Sequence, residues 1–246
     1  IFGRRWRVSP DLETEAALEA RSERGVAGRS ETTLSTDSAE ARLLLYGMYD
    51  SQPPRDEEGY NRRFDSDHLR YRARFEHRGE LSPRLSLWVN VDRLSDVDML
   101  EEWFPREFED EPQPRSYAEL RYDDPRFSLS LAARTQLNEF HTVTERLPEL
   151  RLEVPRQTLF DAPFYVSSNT SLAYLRMKWR DFETDDWWPA DMAEYYDLPT
   201  DYDTLRFDHT EMLYVPLYVL DRISLIPRGG IRLTYYGDTS ERPVTD

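Results

Sequence analysis

The chain contains no cysteine, which excludes disulfides and thiolate metal sites. It has no run of about 18 apolar residues, so it encodes no transmembrane helix. A membrane crossed by strands is untouched by that absence, because barrel strands carry a much weaker signal per segment. Basic residues are outnumbered, 32 Lys plus Arg against 48 Asp plus Glu, for a formal charge of -16. Nothing here would neutralise phosphates along a groove, so nucleic acid is not an expected partner. Glycine is scarce at nine residues, and 13% of the chain is aromatic, a composition unlike that of a disordered segment.

Chemistry-bearing motifs are equally sparse. The four histidines, His68, His77, His141 and His209, lack metal-ligand spacing. Asp96, Asp98 and Glu102 faintly suggest a calcium loop, but the required glycine is missing. Asp185 and Asp186 beside Trp187 and Trp188 resemble a carboxylate pair next to a sugar platform, yet adjacent residues do not supply the fixed separation across a cleft. Gly25 and Gly28 in RGVAGR stand outside any phosphate-loop context. With no nucleophile motif, the chain reads as non-enzymatic: no catalytic residue, metal site or cofactor is expected.

What is present is alternation. In HLRYRARFEHR (residues 68–78), Leu69, Tyr71, Ala73 and Phe75 fall on one side of an extended chain, and Arg70, Arg72, Arg74, Glu76 and Arg78 on the other, because successive strand side chains point to opposite faces. The period-2 pattern predicts about twelve strands, near residues 2–9, 11–20, 26–35, 40–49, 67–78, 84–93, 115–123, 126–138, 147–155, 164–180, 202–219 and 222–236. Residues 202–219 fit worst, with apolar side chains on both faces and Pro216 inside. Short helices are expected only in connections, at 96–108 and 189–198. The first residues, IFGRRWRV, read as a strand already under way and the last stop just past another, as expected of one stretch of a longer polypeptide.

Connections after strands 4, 6 and 10 are long, roughly 17 to 21 residues, and several of the others only about 2 to 6, which places long loops at one rim and short turns at the other as in an up-and-down membrane barrel. Aromatic residues near strand ends (Tyr46 and Tyr49, Tyr117 and Tyr122, Trp179 with Trp187 and Trp188, Tyr235 and Tyr236) suit interfacial girdles. A large barrel with a wet lumen needs mixed-sign charged rows on strand after strand. The candidate luminal rows are Glu13, Glu15, Arg29, Glu31, Arg70, Arg72, Arg74, Glu76 and Arg134. The expected fold is therefore all-β: antiparallel up-and-down strands forming part of a large outer-membrane β-barrel, a single segment over residues 1–246.

Several stretches carry a family resemblance. NVDRLSDVDMLEEWFP (90–105), TQLNEFHTVTERLPELRLEVPRQ (135–157), RFDHTEMLYVPLYVLDRISLIPRGGIRLTYYGDT (206–239) and the opening WRVSP resemble, in order, blocks of the LptD family of lipopolysaccharide-assembly outer-membrane proteins. The resemblance implies a non-enzymatic barrel in the outer membrane of a Gram-negative-type bacterium that passes lipopolysaccharide into the outer leaflet. It also implies a lipoprotein plug inside the barrel, periplasmic bridge proteins docked on an N-terminal jelly-roll domain, contact with outer-membrane lipid, and a seam between first and last strands. The present chain would be the first part of the barrel, lacking the jelly roll and the closing strands. Gly3, Trp6 and Val8 would lie on the seam strand. Family members often carry proline in the first strands, where it removes a ladder donor. Here the corresponding position is similar to Gly3, which loosens a strand by another route, and residues 11–20 hold no proline. Without cysteine, the disulfides that some members use cannot form in this segment.

On this reading Arg70, Arg72 and Arg74 either meet anionic head groups, which arginine pairs well, or only balance luminal carboxylates. Two other functions compete with lipid translocation: a general porin-like or secretory barrel, and a secreted soluble β-domain binding sugars through the Trp-rich loop. The last would have to pair two sheets or close one, since twelve strands without helices leave edges and faces to cover.

Overall fold

The alternating segments form strands that pair in sequence order. The computed structural model describes residues 2–53, 67–158, 163–179, 201–219, 223–237 and 240–242. The first six strands are β1 (Phe2–Arg7), β2 (Leu12–Arg21), β3 (Gly25–Ser35), β4 (Ala39–Asp50), β5 (Leu69–Ser82) and β6 (Leu85–Leu94). Two short helices follow, α1 (Met99–Trp103) and α2 (Pro105–Asp110). The chain continues through β7 (Ser116–Asp124), β8 (Phe127–Thr135), β9 (Val143–Thr158), β10 (Tyr165–Lys178) and β11 (Asp201–Tyr214) to β12 (Leu217–Val219), β13 (Ile223–Leu225), β14 (Arg228–Tyr236) and β15 (Ser240–Arg242). Each of β1 to β10 pairs antiparallel with the next, β14 follows β11 in the same sheet, and β15 also pairs with β11. The sheet is all-β, antiparallel, up-and-down and open, with β1 and β14 at its two ends. Because every step is antiparallel, the connections 51–68, 95–115 and 179–200 all leave from the same end of the sheet.

Proline and glycine punctuate the pattern where chain geometry demands it. The run at 202–219 breaks at Val215–Pro216, and the run at 222–236 breaks at Ile226–Pro227, because proline cannot donate to a ladder. The pieces beyond the breaks, β12 and β13, make a separate two-stranded hairpin. Strand β9 starts at Val143 rather than 147. Pro148 lies inside it, accommodated where the registers of β9 with β8 and with β10 both slip. Gly25 opens β3 at φ 108°, in the left-handed region that glycine enters without steric cost. A Cβ there would sit 2.1 Å from the Tyr49 carbonyl oxygen.

Register assigns every side chain to a face. Leu18, Leu45, Leu69, Tyr71, Phe75, Leu129, Leu131, Leu150, Leu172, Leu205, Leu233 and Tyr235 share one face and are all exposed, Leu69 at 67% and Leu131 at 48%. The opposite face carries Arg5, Glu15, Glu31, Arg42, Arg74, Asp92, Glu119, Arg151, Asp208 and Arg232. The small core lies on that charged face, where Ala27, Tyr46, Met48, Leu94, Met99 and Leu100 pack with Trp103, Phe104, Phe108 and Phe140. A soluble sheet would bury its apolar face; this sheet leaves that face exposed and packs its small core on the charged one.

The aromatic pairs do not all form girdles. Tyr46 is buried on the charged face, 5.4 Å from the Phe104 ring and edge-on to it. Tyr117 and Tyr236 also take the charged-face parity, opposite Arg134 and Arg206. Only Tyr49, Tyr122 and Tyr235 of those pairs take the apolar one, because pair members an odd number of residues apart must point oppositely. Trp187 and Trp188, with the helix expected at 189–198, lie outside the described residues.

Candidate functional site: the charged face and its helical strap

The segment 95–115 folds back across the charged face instead of projecting from the sheet end. Its sequence makes this possible. Leu100, Trp103, Phe104 and Phe108 are spaced i, i+3, i+4, i+8, an apolar stripe at helical period, and Pro105 opens α2 at the first helical position, where a missing N–H costs nothing. The stripe docks on Tyr46 and Met48, while Glu102 and Glu107 reach the arginine row of β5.

Arg70 is fully buried and holds three carboxylates. Its Nε and Nη2 donate to both oxygens of Asp96 at 3.0 and 2.8 Å, and its Nη1 donates to Asp50 at 3.1 Å and Glu102 at 2.5 Å. Arg24, in the β2–β3 turn, completes the cluster by donating to both Asp50 oxygens at 3.1 and 2.8 Å and to Glu102 at 2.8 Å. These bonds to carboxylates hold the Arg24 guanidinium above its ordinary pKa, the Asp50 bond contributing most. Arg72, 2% exposed, forks onto Asp92 at 3.0 and 2.7 Å and reaches Glu107 at 2.8 Å. Arg74 joins Glu107 at 2.6 Å to Glu76 at 2.7 Å. Planar bidentate pairing of this kind is the strong form of the ion pair. Above the cluster, Trp103 lies under Arg21 and Arg24, at 4.3 and 5.2 Å from its ring centre, and Phe104 under Arg72 at 4.5 Å.

Burying so many charges is tolerable only if each meets a counterion, as each arginine of the row does, although Arg72 Nη1 and Arg74 Nε are buried without an acceptor. The neighbouring backbone is satisfied by side chains. Pairing between β6 and β7 stops at Asn90 opposite Tyr117. Beyond it, the Asp92 N–H donates to Ser116 Oγ at 3.1 Å and the Leu94 N–H to Asn138 Oδ1 at 2.9 Å, while Asn138 Nδ2 donates to the Asp92 carbonyl at 3.0 Å. Asn138, from the β8–β9 connection, thus stands in for a missing strand.

All the candidate luminal residues take the charged-face parity, but not one continuous network. Glu13 and Glu15 pair with Arg5 on the adjacent β1, at 3.0 and 2.7 Å, and Glu31 pairs with Arg29 and Arg42. They do not pair with Arg70, Arg72 or Arg74, since β2 and β5 are three strands apart, roughly 14 Å at the usual spacing. Arg70 and Arg72 are buried and engaged by carboxylates of the sheet and of the strap. Asp96 and Glu102 of the calcium-like triplet serve as arginine counterions. Arg134 faces Arg146. Of the seam candidates, Gly3 and Trp6 lie on β1 with opposite parity, Trp6 41% exposed beneath Arg4. Val8 lies beyond the strand, in the turn where its N–H donates to the Leu12 carbonyl. Gly3 holds regular register opposite Ala17, where a Cβ would come 3.1 Å from the alanine Cβ.

Beside the strap, an open cleft of about 540 Å³ runs along the same face, lined by Arg42, Arg78, Trp88, Arg115 and Tyr117 among others. It combines aromatic surface with charged groups of both signs, which suits a hydrated polar ligand better than an apolar one. No protein-family model matches the chain, and no curated protein sequence matches it.

Proposed function

We propose that this chain is part of the wall of an outer-membrane β-barrel that assembles lipopolysaccharide into the outer leaflet, without catalysis. The observation that carries the membrane half is the inverted sheet: large apolar side chains stand exposed on strand after strand, far beyond the few hundred Å² that a soluble monomer leaves bare. Hydrocarbon covers such a face with no further structure. The opposite face, charged and bridged across strands, suits a water-filled interior. The lipopolysaccharide half rests on the ordered resemblance to the LptD blocks, whose strand-then-loop segment 90–105 runs through β6 into the strap. The partners follow from the same resemblance: a lipoprotein plug within the barrel and a periplasmic bridge.

The mechanism is passive. The polar face accommodates sugar and phosphate while acyl chains stay with lipid. A porin-like barrel would share both the wall and a loop folded onto its polar face; the ordered LptD-type blocks are what favours the first reading. The sugar-binding reading rests on the Trp-rich loop, outside the described residues.

A photocrosslinking residue at Tyr117, facing the cleft, should capture lipopolysaccharide in intact cells, while one at Leu131, on the other face, should capture membrane lipid. No lipopolysaccharide adduct at Tyr117 or at neighbouring cleft positions would remove the cargo from the proposal.

A further inference from the structure

Among the described residues most arginines of the charged face sit in ion pairs; Arg78 meets only the Trp88 ring, and Arg134 lacks even that while being partly buried. Arg134 of β8 has no carboxylate or other hydrogen-bond partner among the described residues, and its Nε is buried without an acceptor. Its cross-strand neighbour in register on β9 is another arginine, Arg146, and like charges directly opposite are destabilising. A third guanidinium, Arg115, adds to the repulsion. The acids nearby are already engaged. Glu111 holds Arg115 at 2.6 Å, and Glu149 is shared between Arg146 at 3.0 Å and Arg151 at 2.9 Å. In a chain with a formal charge of -16, such an uncompensated cationic spot is conspicuous. The contrast with Arg70, which collects three carboxylates, is direct.

We propose that Arg115, Arg134 and Arg146 form a binding site for a phosphate-type anion. An oxyanion between the three guanidinium groups would accept from several N–H donors at once and remove the repulsion. The site is accessible: Arg115 lines both a small polar cavity that Arg134 shares and the large open cleft. The small cavity, about 20 Å³, is of the size for one water, so the anion sits at its mouth on the cleft side. The site concerns the charged face alone and holds whatever medium covers the apolar one.

The test is thermal unfolding of the native protein in non-ionic detergent at constant ionic strength, with chloride exchanged for inorganic phosphate or supplemented with short-chain phosphatidic acid. The wild type should show a saturating rise in midpoint of about 3 °C. Arg134→Gln should show no rise, and without phosphate should melt no lower than wild type, because it relieves like-charge repulsion. Arg84→Gln, in the β5–β6 turn, should keep the rise. A rise with inorganic phosphate assigns the site to a soluble anion, and a rise with phosphatidic acid alone assigns it to a lipid head group. An equal rise in Arg134→Gln, or no rise with either probe, overturns the site.

Discussion

Replacing Arg70 should be the most damaging single change on the charged face. Arg70→Ala removes the bidentate partner of Asp96, which is 5% exposed and would keep only the Ser95 hydroxyl and the Asp98 N–H as donors. Asp50 and Glu102 are protected in part, since Arg24 still donates to both. The loss therefore concentrates on one buried carboxylate, and breaking a buried pair in this way costs about 3–5 kcal/mol. Removing both partners costs less than removing one, because no charge is stranded. Arg70→Met combined with Asp96→Leu should recover about half or more of the loss. Arg70→Lys should fall between, retaining charge but not the fork. Equilibrium unfolding in urea and detergent, followed by tryptophan fluorescence, measures each variant. A loss below about 1 kcal/mol for Arg70→Ala, or a double variant as unstable as the sum of its singles, would refute the view that the strap is held by a buried, mutually satisfied charge cluster.

Other outcomes follow from single positions. Leu131→Arg should cost about 2–4 kcal/mol in a bilayer and nearly nothing in a fold whose exposed leucine meets water; refolding yields into vesicles decide between them. Gly25→Ala should destabilise the β2–β3 turn by about 1–3 kcal/mol, as positive φ and the Tyr49 carbonyl both oppose a side chain; an unchanged urea midpoint would contradict this. Burial pushes the His141 imidazole, in the β8–β9 connection, below its ordinary pKa of 6.5. Its neutral form is favoured in the folded state, so this contribution is full above the unfolded value and is lost as pH falls through the folded one. His141→Gln should flatten that part of the stability profile below about pH 6.5, and an identical acid limb in both proteins would exclude it.

The strands and their faces were legible in the sequence because period-2 alternation is local: Arg70, Arg72 and Arg74 announce their side by spacing alone. The prolines at 216 and 227 mark breaks by the same local logic, although only the first stood out within its run. The strap was not legible in its placement. Residues 96–108 read as short helices in a connection, and nothing near Glu102 or Glu107 in sequence says that Arg70 and Arg72, more than thirty positions earlier, are their partners. Asn138 is harder still, since a side-chain amide replacing a strand's backbone leaves no periodic trace. Arg134 was visible as a charged-face residue, but its lack of a counterion emerges only when the acids around it are seen to be taken.

The exposed apolar face should meet lipid in a closed barrel. The most direct measurement is fractionation of cells carrying the native protein, followed by a gel comparing unheated and boiled samples. Recovery in the outer membrane with a heat-dependent change in mobility is the predicted result. A soluble protein with no mobility change would mean that Leu69, Tyr71, Phe75 and Leu131 pack against another protein surface, and the barrel account would be wrong.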